Sequence, residues 1–188
     1  VELFKNNTMT FVAGSSWQPD EDLFIEYFNQ HPEVKLVIAP HVIDENHLVE
    51  IIRKLKRPYV RYTRADEKNV RKADCLIIDC FGLLSSIYRY GEIAYIGGGF
   101  GVGIHNTLEA AVYGIPVIFG PKYQKFQEAI QLLEAKGAFS VKDYEELKTL
   151  IDRMLTDEVF LRESGMNASN YVTGNAGATD KIMSMINF

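Results

Sequence analysis

Short apolar runs alternate with helix-patterned segments along most of the chain, and this alternation restricts the fold more than any other feature. Thr10 to Ser15 reads as a strand ending in Gly-Ser, after which Pro19 opens a helix carrying Leu23, Ile25, Tyr27 and Phe28. Lys35 to Ala39 is an apolar strand stopped by Pro40, and Asp44 can cap a helix with Leu48, Ile51, Ile52 and Leu55 at helical spacing. Further strands are expected at Tyr59 to Tyr62, Cys75 to Asp79, Ile93 to Ile96, Pro116 to Phe119 and Phe139 to Val141. Helices are expected at Leu83 to Tyr90, at Asn106 to Tyr113, and over most of the remainder from Phe126.

Strands and helices in alternation imply a parallel sheet covered on both faces, and continuously apolar strands such as Leu36-Val37-Ile38-Ala39 fit burial on both sides. The expected fold is α/β, a single Rossmann-like, doubly wound parallel sheet spanning 1–188. Ligands of such sheets bind beyond the carboxyl ends of the strands. That rule selects Gly14 to Ser16, Pro40-His41, Asp79 to Gly82, Gly97 to Asn106 and Gly120-Pro121.

Composition narrows the function classes. The net charge is −5, and residues 53 to 72 alone hold nine Lys and Arg against two acids, so that segment is +7 and the rest is −12. An acidic chain with one basic stretch argues against general nucleic-acid binding. The stretch itself is either a solvated face or an attractor of an anionic ligand or membrane surface. Cys75 and Cys80 are too few for a disulfide framework and read as buried free thiols in a reducing compartment. His31, His41, His47 and His105 show no metal-ligand spacing, so no metal and no cofactor are expected. No apolar run reaches the roughly 18 residues of a membrane span. The chain opens at Val1, which fits a fragment as well as removal of an initiator Met.

Gly97 to Pro121 carries the chemistry. Five glycines fall in seven residues, after a strand and before a helix. Glycine permits positive φ and close backbone approach, and a helix start offers unpaired N–H groups, so the segment suits an anion, above all a phosphate. No register gives GxGxxG, and there is no P-loop or GxSxG elbow, which sets aside the usual dinucleotide, nucleoside-triphosphate and hydrolase fingerprints. Asn106 and Glu109 stand three apart, as a helix capping box would, or as groups aimed at a phosphate and a ribose.

Three segments, Gly97-Gly98-Gly99, His105-Asn106-x-Leu108-Glu109-Ala110-Ala111 and Gly114-x-Pro116-Val117-Ile118-Phe119-Gly120-Pro121, resemble the donor-domain signature of the 3-deoxy-D-manno-octulosonic acid (Kdo) transferases. Ala13-Gly14-Ser15, Asp79-x-x-Gly82-x-Leu84 and Phe126 extend the resemblance over most of 10–128. It implies the C-terminal half of a two-Rossmann-domain (GT-B) glycosyltransferase. Such a half binds CMP-Kdo, while an absent N-terminal half binds a lipid A precursor and carries the catalytic base. It also implies an inverting, metal-free transfer at the cytoplasmic face of a bacterial inner membrane, with membrane contact only through the full-length protein. The isolated domain is then expected to be inactive, with no catalytic residue of its own. The donor-site residues carried over are Ser15, His41, Gly82, Gly98, Gly99, His105, Asn106 and Glu109. The chain departs from the family in three places: His41-Val42 replaces an Arg-His pair after Pro40, Leu83 stands for Glu, and Thr107 for Pro. Arg61 or Arg64 is a candidate for the lost cation. A last helix crossing to the other domain would leave Ile182 to Phe188 unpartnered. The rivals are the UDP-sugar domain of another GT-B transferase or 2-epimerase, and a non-catalytic nucleotide-binding module.

Overall fold

A computed structural model describes residues 1–175. Along the chain run α1 (Glu2–Lys5), β1 (Met9–Ser16), α2 (Gln18–Gln30), β2 (Val34–Pro40), α3 (Glu45–Lys54), β3 (Tyr59–Arg61), α4 (Glu67–Lys72), β4 (Cys75–Ile77), α5 (Leu84–Ile87), β5 (Ile93–Ile96), α6 (Leu108–Ala111), β6 (Val117–Phe119), α7 (Gln127–Glu134), β7 (Ala138–Ser140), α8 (Tyr144–Thr156) and α9 (Glu158–Asn175). The seven strands form one parallel sheet in the order β3-β4-β2-β1-β5-β6-β7. This is the expected doubly wound α/β architecture.

The inner strands turn alternate side chains to two separate apolar layers. Val12, Val37, Leu76, Ala94 and Phe119 pack on the face covered by α1, α4, α6 and α7. Phe11, Leu36, Ile38, Cys75, Tyr95 and Ile118 pack against α2, α3 and α8. Burial on both faces explains why the central strands are apolar throughout rather than alternating.

Several boundaries differ from the sequence reading. The helix expected over Leu83 to Tyr90 is a single α turn followed by a 3-10 turn at Tyr88–Tyr90, which turns Tyr88 into the core. The helix expected from Asn106 to Tyr113 is likewise one turn, Leu108–Ala111. The strand expected to reach Tyr62 gives way to a 3-10 turn at Tyr62–Arg64. Asp44 caps α3 as expected, accepting from the Asn46 and His47 amides. The segment Ile182 to Phe188 lies outside the described residues.

The chain's order of strands reverses beside β1. After β1 it builds outward through β2 to β3, returns to insert β4, then crosses to β5 on the other side of β1. The β1/β5 junction is therefore the switch point where a crevice opens beyond the strand carboxyl ends.

Candidate functional site at the strand carboxyl ends

Strand β1 ends irregularly. Its register with β2 shifts between Gly14 and Ser16, and Ser15 takes φ 52°, a left-handed backbone that a non-glycine residue adopts at some cost. The neighbouring loop explains the shape. A Cβ on Gly97 would lie 2.3 Å from the Ser15 carbonyl oxygen and 2.5 Å from the Ser16 Cα, so the two strand ends touch backbone to backbone. Gly99 meets Gly120 at the end of β6 in the same way, at 2.6 Å. Much of the glycine signal thus serves strand-end packing. Gly98, with φ 95°, folds the loop so that its carbonyl accepts from the amides of Gly101 and Gly103.

Asp20, in the first turn of α2, fixes this loop. One carboxylate oxygen accepts from the Gly98 amide at 2.9 Å and the Trp17 amide at 3.0 Å, and the other from the Tyr95 hydroxyl at 2.9 Å. The side chain is fully buried, and burial raises its pKa above the ordinary aspartate value despite those donors. The Gly98 N–H is therefore engaged. Beside Asp20, Glu21 is also fully buried, accepting from Ser16 Oγ and contacting His47 Nε2, both at 2.9 Å. Burial raises the Glu21 pKa as well. His47 is thus a satisfied histidine, and so is His31, which stacks on Tyr27 and meets Glu33 at 2.9 Å.

A cleft of about 240 Å³ opens beyond β1, β2 and β4, lined by Ser15, Pro40, His41, Cys80, Phe81 and Gly82 among others. Gly82 has φ 85° and nothing within 4 Å of where its Cβ would be, so the loop needs glycine for its backbone and leaves open space above it. Cys80, read from sequence as buried, is partly exposed on this wall, whereas Cys75 is buried. Hollows of about 350 Å³ beside α2 and about 510 Å³ beside β7 are larger, but neither lies at the switch point.

Three rings stand at the lip. His41 stacks on Trp17 (centroids 4.6 Å apart) and on His105 (4.4 Å), and Trp17 Nε1 donates to His105 Nε2 at 3.4 Å. A ring nitrogen that accepts a hydrogen bond carries no proton, so this bond requires His105 to be neutral with its proton on Nδ1. Burial, with His41 alongside, pulls the His105 pKa below the ordinary 6.5 in the same sense. Trp17 belongs to this lip.

Beyond His105 the chain makes a turn and not the capping box that was one of the two readings of Asn106 and Glu109. Asn106 Oδ1 accepts from the Leu108 amide at 3.0 Å, and Asn106 Nδ2 meets Glu109 Oε1 at 3.3 Å, side chain to side chain. Glu109 stands close enough to the buried Tyr88 that its charge adds to the burial that pushes that phenol up. The Tyr88 hydroxyl in turn abuts Gly14, where a Cβ would be only 1.9 Å away. Ser15, His41, Gly82 and His105 thus converge around the strand ends, with Asn106 and Glu109 on the adjoining turn. Thr107, which sequence reading noted only as a departure, is fully buried, and its hydroxyl has no partner among the described residues.

Arg61 does not serve as the free cation that sequence allowed. It donates to Asp79 at 2.8 Å and to both oxygens of Glu45 at 2.8 and 2.9 Å. Burial would raise the Asp79 pKa, but donors from Thr63 and Arg61 outweigh it and hold Asp79 below the ordinary range. Among the described residues no group of three His, Cys, Asp or Glu side chains could hold a metal ion, and no helix could cross a membrane.

No protein-family model matches the chain. A 3-deoxy-D-manno-octulosonic acid transferase of Aquifex aeolicus is 33% identical over 151 residues, which cover 77% of this chain and 41% of that protein. A bifunctional glycosyltransferase/methyltransferase of Fusobacterium nucleatum is 29% identical over 173 residues, 86% of this chain and 27% of that protein. The chain therefore spans less than half the length of the curated relatives it matches. Among solved structures, the C-terminal CMP-Kdo binding domain of WaaA from Acinetobacter baumannii superimposes with a TM-score of 0.76 at 18% identity, covering 90% of this chain and 91% of that one. The seven-stranded parallel sheet is that of a Rossmann-like GT-B C-terminal domain, and the chain resembles the C-terminal CMP-Kdo-binding domain of a Kdo transferase.

Proposed function

We propose that this chain is the donor-binding half of an inverting glycosyltransferase that moves Kdo from CMP-Kdo to a lipid A precursor. The observation that carries the reading is the cleft of Ser15, His41 and Gly82 beyond β1, β2 and β4, joined through the His41–His105 stack to the Asn106–Glu109 turn on the β5 side. In this reading CMP lies over the strand ends. Ser15 and the open backbone at Gly82 line its path. Gly98 and Gly99 shape the lip, while the imidazoles of His41 and His105 wall it. Asn106 faces the phosphate, and Glu109 accepts from ribose hydroxyls.

Transfer requires an acceptor hydroxyl to attack the anomeric carbon of Kdo while the bond to the CMP phosphate breaks. Negative charge then grows on the departing phosphate. Among the described residues the amides of Asn106, Thr107 and Glu109 are uncommitted. Fixed donors of this kind stabilise developing charge without reorganising. The base that takes the acceptor proton belongs to an N-terminal half outside this chain, which also binds the lipid. The complete enzyme would work at the cytoplasmic face of the inner membrane.

Calorimetric titration of CMP into the wild type and into Glu109→Ala tests the reading. Weaker CMP binding by a folded variant is expected, and unchanged affinity removes Glu109 from the site. Tighter binding of UMP than of CMP would favour a UDP-sugar donor.

A further inference from the structure

The basic segment 53–72 is not absorbed by the donor site, and the structure divides its nine cations into two sets. Three are used internally. Lys54 pairs with Asp22 at 2.7 Å, and Arg61 is held by Asp79 and Glu45. Arg57 donates to the carbonyls of Phe28, His31 and Val34 and lies 4.0 Å above the Phe28 ring. The other six (Arg53, Lys56, Arg64, Lys68, Arg71 and Lys72) are exposed and form no ion pair among the described residues.

Topology gathers these six along one border of the sheet. β3 is the edge strand. Helices α3 and α4, which carry or adjoin the cations, pack on opposite sheet faces through Leu48 and Ile51 in one case and Val70 in the other. On α4, Val70 turns inward, so Lys68, Arg71 and Lys72 share the outward face at i, i+3 and i+4. Tyr59 and Tyr62 are exposed beside them, at 44% and 38%. The acids beside them are Asp66, whose carboxylate caps α4, the exposed Glu67 and Glu50, and Asp22 and Glu26, which share a hollow with Lys56 at the α3 end.

We propose that this β3–α4 border docks on an anionic bilayer surface. Exposed Lys and Arg are drawn to acidic headgroups, and amphipathic phenol rings suit the membrane–water interface. With six unpaired cations on this border of a chain whose net charge is −5, the same surface attracts one border and repels the rest, which fixes the orientation. A polynucleotide long enough to reach all six cations would also run along the acidic flanks, so a planar surface met from one side is favoured. The proposal stands on charge and exposure and does not rest on the donor reading.

Vesicle flotation of the 188-residue chain tests it. The chain is expected to float with phosphatidylglycerol-containing vesicles at low salt, to be released at high salt, and to ignore phosphatidylcholine vesicles. Each surface cation contributes about fivefold to partitioning, so Lys68→Gln/Arg71→Gln/Lys72→Gln should bind about a hundredfold more weakly. Removing three cations elsewhere, Lys125→Gln/Lys142→Gln/Arg162→Gln, should not cause that loss. Circular dichroism checks folding, and the single variant Arg71→Gln should lose about fivefold if the triple variant is unstable. Failure to bind anionic vesicles, an equal loss in the control triple, or tighter binding to an oligonucleotide than to vesicles would overturn the proposal.

Discussion

Replacing Asp20 by alanine should cost the fold several times what replacing it by asparagine costs. Alanine leaves three donors without their acceptor: the Gly98 and Trp17 amides and the Tyr95 hydroxyl. A buried donor left unsatisfied costs about 1–3 kcal/mol, and water can reach the Trp17 amide more easily than the other two, so the loss is about 3–5 kcal/mol. That is a large share of a typical stability of about 5–15 kcal/mol. With a urea slope of about 2 kcal/mol/M, the unfolding midpoint should fall by about 2 M.

Asparagine can keep its carbonyl where one oxygen now serves both amides, and present its NH₂ to Tyr95, whose hydroxyl turns to accept. Its cost should stay below about 1 kcal/mol. The pH dependence has a definite sign. Burial raises the Asp20 pKa in the fold above the ordinary 3.8, so folding favours the neutral carboxyl. Asp20's contribution to stability is therefore full below 3.8 and declines as pH rises through the raised value. Asparagine does not titrate there, so its deficit against wild type should shrink between pH 4 and pH 7. Urea melts followed by circular dichroism and by the fluorescence of Trp17, the sole tryptophan, measure all of this. A midpoint shift under about 0.5 M for alanine, or equal losses for the two variants, would refute the Asp20 clamp.

Gly97→Ala should destabilise by at least about 1–3 kcal/mol, because its Cβ would meet backbone atoms that cannot move aside, whereas Gly101→Ala, with nothing within 4 Å, should cost under about 0.5 kcal/mol; thermal melts compare the two. His105 should titrate below 6.5 in an NMR pH series, and Trp17→Phe, which removes the indole N–H from its Nε2, should move that titration upward. Because protonation of His105 is disfavoured in the fold, its contribution to stability should be intact above 6.5 and lost as pH falls through its lowered value.

The sheet is legible in the sequence because its strands are buried on both faces and so appear as unbroken apolar runs, Leu36 to Ala39 and Val117 to Phe119 being the clearest. The short helices are less legible. Leu83 to Tyr90 has the apolar content of a full helix, yet the backbone tightens at Tyr88 to seat that ring against Gly14. Helix α4 offers one apolar residue in six, and only the Asp66/Asn69 capping box marks it. At the site, positive φ made Gly82 and Gly98 readable as glycines, but the load carried by Gly97 and Gly99 depends on which strand ends touch, which is set by topology. Asp20 and Glu21 look like ordinary first-turn acids that favour any helix start. Nothing local in the sequence distinguishes them from exposed ones, because Asp20 is enclosed by Tyr95 and the Gly98 loop, 75 and 78 residues away, and Glu21 meets His47, 26 residues away. The ring stack of Trp17, His41 and His105 was out of reach for the same reason.

Cytidine-nucleotide binding at the strand carboxyl ends is tested by an NMR titration of the labelled chain with CMP, with UMP as the control. Shifts concentrated at Ser15, His41 and Gly82 and through Gly97 to Glu109 are expected, with CMP preferred. Shifts confined to other parts of the fold, or no preference for the cytidine nucleotide, would contradict it.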